Sequence, residues 1–449
     1  VFFFVCIFAN NKTVLAENNC RLSFSCMGTG PECRSNLLLT LPVMKNRKQK
    51  LALSFVIMMG VVSMFSDMTH EGARSIYGAY LALAGASAAT IGFVMGLGEL
   101  IGYALRLVTG YFADKKHNYW IMTIVGYSIN MAAVPLIALF SKDGWKWACL
   151  LIILERLGKA IRQPSKNTLV SFASSQVGQG KAFALQEFMD QIGAFCGPLL
   201  LFVVLLLRKD SSDLFSAYRI CFAILIIPAF FTLFFLLRAK RKFAHPENFE
   251  TSVDRPRMGS LNSHFILYLV ATSLLAFGFI DFPMITMHVS RLSIIPSSFL
   301  PLLYAGAMLV DAIAALVFGW MYDKYGIKVL IFSDFLSAFF ALFIFTSHSI
   351  SYIIIGIALW GIGMGAQESI LKSAVTALVP KENRSTGFGV FGVSFGVCWF
   401  IGSWVLGILY DTSIPAMVTV SVISQLASIP FLMALAKSHK TMDNVNSSL

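Results

Sequence analysis

GYFADK at residues 110–115 and GWMYDK at residues 319–324 are two copies of one phrase, 209 positions apart, and each closes a long apolar run. Two further places keep nearly the same spacing. Phe183 and Gly197 return as Phe388 and Gly402 at 205, and Lys166 returns as Lys372 at 206. Three separate places in one register make an internal repeat, so the second half of the chain repeats the plan of the first. An apolar run that ends on Gly, then a carboxylate and Lys, reads as a helix leaving a bilayer on its basic side.

Composition agrees with that reading. The 449 residues are 57% hydrophobic and 13% charged, against about 25% charged in soluble domains, and the mean hydropathy is +0.73. Runs long enough to cross a membrane, roughly 20 residues each, fall at residues 51–82, 88–110, 119–140, 147–171, 182–207 and 215–238. The second set is 264–290, 297–320, 328–347, 351–378, 386–409 and 414–436. A membrane β-barrel would show short alternating segments instead. The predicted fold class is an all-α polytopic membrane protein, twelve transmembrane helices in two pseudo-symmetric six-helix bundles. Residues 44–238 form the predicted N-terminal bundle, 239–263 a cytoplasmic linker, 264–437 the C-terminal bundle and 438–449 a cytoplasmic tail.

The formal charge of +12 is a matter of topology. Lys45, Arg47, Lys48, Lys50, Lys115, Lys116, Arg238, Lys240, Arg241 and Lys242 all fall on one side of the predicted spans, which puts both termini in the cytoplasm of a multi-pass inner-membrane protein. The basic charge thus points to the lipid bilayer and not to nucleic acid. Residues 1–43 differ from the rest. The run VFFFVCIF at 1–8 is too short to span, and Met44 precedes the basic leader of the first span, so this stretch is expected to be a disordered or spurious extension.

Over residues 44–437 the sequence resembles transporters of the major facilitator superfamily and is similar to poorly characterised bacterial permeases. That family's signature loop is G-x-x-x-D-(R/K)-x-G-(R/K). The second copy supplies Gly319, Asp323, Lys324, Gly326 and, one place late, Lys328; the first keeps Gly110, Asp114 and Lys115 but loses the later Gly. The resemblance implies a gate at these residues, with Asp114 facing the helix start near Arg384 and Asp323 the one near Lys181. It also implies alternating access around a cavity walled by spans 1, 4, 7 and 10. Gly193-x-x-x-Gly197-Pro198 is similar to a motif of proton-driven exporters, which favours efflux slightly over uptake.

Charges within the spans are costly unless paired or wet, so each is a functional candidate. Asp67, His70, Glu71 and Arg74 stand at i, i+3, i+4 and i+7 on one face of the first span. They either contact a proton or solute, or form an ion pair that closes the outer end. The fourth span carries Glu155, Arg156, Lys159, Arg162 and Lys166, and Arg162 aligns with Glu368 of the tenth at 206, which suggests that the two pair across the halves. Asp190 in the fifth span, Glu99 in the second and Asp311 in the eighth complete the set. Asp281 lies beside Gly278 and Pro283, where the seventh span is expected to bend.

No nucleotide-binding loop, metal-ligand spacing or Ser/His/Asp constellation is found, so neither an enzyme nor a cofactor is expected. The predicted function is secondary transport of a small solute, anionic or zwitterionic, coupled to protons and carried out by a monomer. The alternative is a sensor or scaffold on the same twelve-helix plan, which needs no carboxylate at mid-depth.

Overall fold

A computed structural model of the chain describes residues 47–116, 118–208, 213–249, 263–379 and 384–446, and every regular element among them is a helix. In the first half run α1 (Arg47–Leu83), α2 (Ala88–Lys116), α3 (Tyr119–Leu136), α4 (Trp145–Val177), α5 (Gln179–Leu207), α6 (Leu214–Ile224) and α7 (Ile226–Lys242). The second half holds α8 (Ser263–Gly278), α9 (Phe282–Leu292), α10 (Leu300–Tyr325), α11 (Lys328–Ser337), α12 (Phe340–Phe345), α13 (Ile350–Ala366), α14 (Lys372–Leu378), α15 (Arg384–Thr412) and α16 (Ile414–Asn446). Four of the twelve spans are interrupted: α6 with α7, α8 with α9, α11 with α12, and α13 with α14 each make one crossing. Eleven spans are apolar enough to cross a bilayer by composition. The twelfth, α4, is set apart by its charges, and these turn inward: Glu155, Arg156, Arg162 and Lys166 are all buried.

The outside is greasier than much of the inside. Leu139, Leu207 and Leu316 are 70%, 82% and 78% exposed, as side chains facing acyl chains would be, while hydroxyls, amides and charges collect in the interior. A helix satisfies its own backbone groups in hydrocarbon, and a break is tolerated where protein groups replace the lost bonds. The break between α8 and α9 follows that rule. The Gly278 carbonyl accepts from Ser421 Oγ at 2.6 Å and Gln425 Nε2 at 3.2 Å, and the Ile280 carbonyl accepts from Trp360 Nε1 at 2.9 Å. Pro283, lacking an amide hydrogen, then sits in the first turn of α9. The bend expected near Asp281 is therefore a pinned interruption.

The repeat seen in the sequence is a repeat in packing. A Cβ at Gly197 of α5 would strike Met68 of α1, and one at Gly402 of α15 would strike Phe277 of α8. Those partners stand 205 and 209 positions apart. Gly110 lies against Pro164, and Gly319 lies against Ser369 in the matching place. Between the halves, Gly78 of α1 meets the carbonyl of Pro283, Gly92 of α2 that of Ser403, and Gly407 of α15 that of Ala88. Small residues let helix backbones approach where lipid offers no hydrophobic drive to association.

These crossings crowd one end of the molecule, which also carries a side-chain clip. Asp411, in the last turn of α15, accepts from the backbone amides of Ala88 at 3.1 Å and Ala89 at 2.9 Å, the unbonded start of α2. Arg291 stands 3.8 Å from the same carboxylate. A carboxylate at a helix N-terminus satisfies orphan amides and complements the helix dipole.

Two predicted boundaries shift. α7 continues to Lys242, and the turn Pro246–Phe249 folds back on α4, where the Phe249 carbonyl accepts from Ser175 Oγ at 3.0 Å and Gln176 Nε2 at 2.8 Å, so the start of the predicted linker is ordered. α16 runs through Asn446 and takes in most of the predicted tail. Residues 1–43 and the rest of the linker up to residue 262 lie outside the described residues.

The Gly78 crossing generates a test. Gly78→Ala puts a methyl group into the Pro283 backbone and is expected to destabilise the purified protein by about 1–3 kcal/mol. Gly306→Ala in α10, where a Cβ meets nothing within 4 Å, is expected to be neutral or to stabilise by about 0.5–1 kcal/mol. Thermal unfolding in detergent reads both; equal melting temperatures would remove this crossing from the account of the fold.

Candidate functional site

α4 carries its cations at positions 156, 159, 162 and 166, a helical stripe that no lipid-facing surface would hold. The stripe faces α1, which runs antiparallel to it and answers with hydroxyls and carboxylates. Lys166 Nζ reaches the Ser63 hydroxyl and lies 3.6 Å from Asp190 of α5. One turn on, Arg162 donates to Ser66 Oγ at 3.0 Å, lies 3.8 Å from Asp67 and stacks 4.2 Å from the Tyr127 ring. Further along, Arg156 meets Glu99 of α2 at 2.9 Å and Glu155 at 3.6 Å. Arg74 of α1 stands among three acids: Asp281 at 3.4 Å, Glu71 at 3.8 Å and Glu99 at 3.9 Å. Glu71 also accepts from the Tyr304 hydroxyl of α10 at 2.5 Å.

Between these groups and the second half lies a cavity of about 230 Å³. Its six cations, Arg74, Arg106, Arg156, Lys159, Arg162 and Lys166, all come from the first half. The second half contributes two carboxylates, Asp311 and Glu368, and the aromatic side chains Phe391, Phe395 and Trp399. Phe395 lies tilted between the other two with centroids 5.4 Å from each, and Tyr103 of α2 meets it edge-on at 5.4 Å. Among the described residues Lys159 and Arg106 form no ion pair; the Arg106 guanidinium lies 5.1 Å from the Tyr103 ring. The arrangement lines a cavity between two helical bundles with charge and, among the described residues, sets no nucleophile beside a base.

Comparison with known proteins now decides the family. The sequence profile described as Major Facilitator Superfamily matches residues 51–303 and 282–447. The chain belongs to the Major Facilitator Superfamily. Its relatives include the uncharacterised protein Rv2265 of Mycobacterium tuberculosis, 36% identical over 388 residues that cover 85% of this chain and 92% of that one. Among solved structures it is similar to the nucleoside transporter NupG, with TM-score 0.63 and 14% identity over 86% of this chain and 98% of that chain. It is similar also to a D-xylose-proton symporter, with TM-score 0.63 and 12% identity over 85% and 96%. Superfamily membership makes the protein a multi-pass membrane transporter and not an enzyme.

Within the superfamily fold, the sequence candidates divide into three groups. Asp67, Glu71, Glu99, Arg156, Arg162, Asp190, Asp311 and Glu368 line the cavity. His70 and Glu155 lie behind it, fully buried, with His70 Nδ1 2.8 Å from Glu155 Oε1 and Asn130 Nδ2 donating to the same oxygen. His70, although three residues from Asp67, is rotated off the face that Asp67, Glu71 and Arg74 share. Asp281 lies in a narrow side crevice, where it accepts from Trp399 Nε1 at 3.0 Å and Ser403 Oγ at 2.8 Å. Arg162 and Glu368 share the cavity, and the described bonds of Arg162 go to Ser66 and Asp67.

The signature-loop residues stand at the end opposite the Asp411 clip. Gly326 adopts φ +61° at the end of α10, a backbone conformation that favours glycine. Lys115 lies over the Tyr111 ring, Lys324 lies over Trp320 and Tyr325, and Lys328 is exposed at the start of α11. The side chains of Asp114, Lys181, Asp323 and Arg384 lie outside those described, and with them the two predicted gate contacts. Sequence reasoning missed Asp334, buried in α11 and bonded to Ser428 Oγ at 3.2 Å; a single acid in the ninth span was signal enough. It also missed Tyr304, Gln191 and Gln367, which carry no charge to draw notice.

Arg74 anchors the acids of both halves, and its removal tests the network. Arg74→Gln leaves Asp281, Glu71 and part of Glu99 without their cation and is expected to destabilise by about 3–5 kcal/mol. Arg74→Lys is expected to recover little, because one ammonium lacks the planar fork that reaches three carboxylates. Melting temperatures of the two variants in detergent check this; an unchanged Arg74→Gln would mean that the network does not stabilise the fold.

Proposed function

We propose that the chain moves a small anionic or zwitterionic solute across the inner membrane by alternating access, coupled to protons, with efflux the favoured direction. The observation that carries this reading is the charge-lined cavity between the two bundles, in whose walls several buried ion pairs, each costly in a bilayer, are concentrated. The cations of the first half, two of them without an acid partner, attract an anionic group. On the orientation set by the basic loops, the Asp411 clip lies at the outer face, so this conformation is closed to the outside.

Asp67 is the preferred proton site. It lines the cavity, and its partner Arg162 already has a second acceptor in Ser66. Protonation of Asp67 frees the guanidinium for a solute, and loss of the proton draws it back, so proton and cargo compete for one cation. Asp281 acts at the seam: it binds Arg74 of the first half with Trp399 and Ser403 of the second, and a change of its charge alters how firmly the halves hold together. The solved neighbour that moves D-xylose with protons supports coupling of this kind. The Gly193–Gly197–Pro198 pattern supports export, and the cationic loops support cytoplasmic termini. A single copy contains the whole cavity, in keeping with a monomer.

Proteoliposomes test the proposal. With a solute found by metabolite and drug-sensitivity screening of a deletion strain, an imposed pH gradient is expected to drive flux by the native chain. Asp67→Asn and Asp281→Asn are each expected to reduce gradient-driven flux by tenfold or more while leaving the protein folded and inserted. Native flux in both variants would overturn the coupling assignment, and no solute movement under any gradient would favour a sensor or scaffold.

A further inference from the structure

We propose that the second-half wall of the cavity is a subsite for a protonated amine, so that the transported solute carries an ammonium group; this rests on the transporter reading above. The observation is a set of buried polar atoms with nothing to bond. Asp311 of α10 is 2% exposed and Gln367 is 5% exposed, and both line the cavity together with Gln191 of α5. Gln191 Nε2 donates to one Asp311 oxygen, Oδ2, at 3.5 Å, a long bond. Among the described residues, Asp311 Oδ1, Gln191 Oε1, Gln367 Oε1 and Gln367 Nε2 have no hydrogen-bond partner.

Burying a polar atom without a partner costs about 1–3 kcal/mol, and more for a charged one. Four such atoms lie on three residues that line one cavity. The backbone around them is also unusual. Gln367 opens a π-helical turn, Gln367–Leu371, and Gly365 just before it abuts the Asp311 carbonyl, so close that no Cβ would fit. π turns inside membrane helices displace side chains from regular register and recur at functional sites.

The unmet atoms specify a ligand. Three are acceptors, one of them on a carboxylate, and the fourth is a donor. A primary ammonium carries three N–H donors and one positive charge, which matches the three oxygens; an acceptor oxygen elsewhere on the same solute would take the Gln367 amide. Glu187 and Glu368 add negative charge to the same cavity. A sodium ion would satisfy the oxygens but leave the Gln367 donor unmet, and a tetraalkylammonium has no N–H to give. The first half lines the cavity with six cations and five carboxylates and the second half with two carboxylates and no cation, so the cavity would hold a zwitterion with its anion toward α4 and its ammonium toward α10.

The test is thermal unfolding of the full chain in detergent at constant ionic strength with four probes: n-butylammonium chloride, 1-butanol, tetramethylammonium chloride and sodium chloride. Butylammonium is expected to raise the melting temperature in a saturable way, and the other three are not. Asp311→Asn keeps the side-chain shape, removes the charge and is expected to abolish the shift; Gln367→Leu is expected to weaken it about tenfold, equivalent to about 1.4 kcal/mol. Stabilisation by sodium as strong as by the amine, an equal response in Asp311→Asn, or no response of the native chain to the amine overturns the subsite. Proteoliposomes separate the two ideas. Saturable amine binding without solute movement sinks the transport reading and leaves the subsite, whereas gradient-driven movement of an amine-free solute with no amine binding does the reverse.

Discussion

A charge inside a bilayer must meet its opposite within a few ångströms, and the antiparallel pairing of α1 with α4 is where this protein obeys that constraint. Lys166, Arg162 and Arg156 descend one helix while Ser63, Ser66, Asp67, Glu71 and Arg74 ascend the other, with Asp190 and Glu99 reaching in from α5 and α2. Without those partners α4 would be too polar to remain in the membrane. With them, it becomes one wall of the cavity.

The network also divides labour. The pairs nearest Tyr127 belong to the first half alone, whereas Arg74 reaches across to Asp281, and Glu71 to Tyr304. A change confined to Asp67 or Asp190 therefore alters what the first half offers to the cavity. A change at Arg74 or Glu71 alters how the halves adhere.

Much of the fold was legible in the sequence because lipid imposes a strict grammar: apolar runs long enough to cross it give the spans. The glycine-aspartate-lysine phrase at 110–115 and 319–324 gave the repeat, and the packing of Gly110 and Gly319 follows it. The site was legible only where it is charged. Asp67, Glu99, Arg156 and Asp311 could be named because ionised residues in spans are rare, but which way each points depends on helix rotation, and His70 shows how one position off the stripe leads away from the cavity. Neutral polar residues such as Gln191 and Gln367 are unremarkable in a sequence; their meaning lies in bonds they do not make. The interruption after Gly278 was anticipated from Pro283, yet the groups that pin it, Ser421, Gln425 and Trp360, come from two distant spans and leave no local trace.

The clip formed by Asp411 has a property of its own. Its two donors are main-chain amides, present whatever side chains stand at positions 88 and 89, so that half of the contact is indifferent to substitution short of proline. All adjustability resides in the acid and in Arg291 beside it. Evolution, or an engineer, thus has a single-sided dial on how firmly α2 and α15 are held together at this end of the molecule.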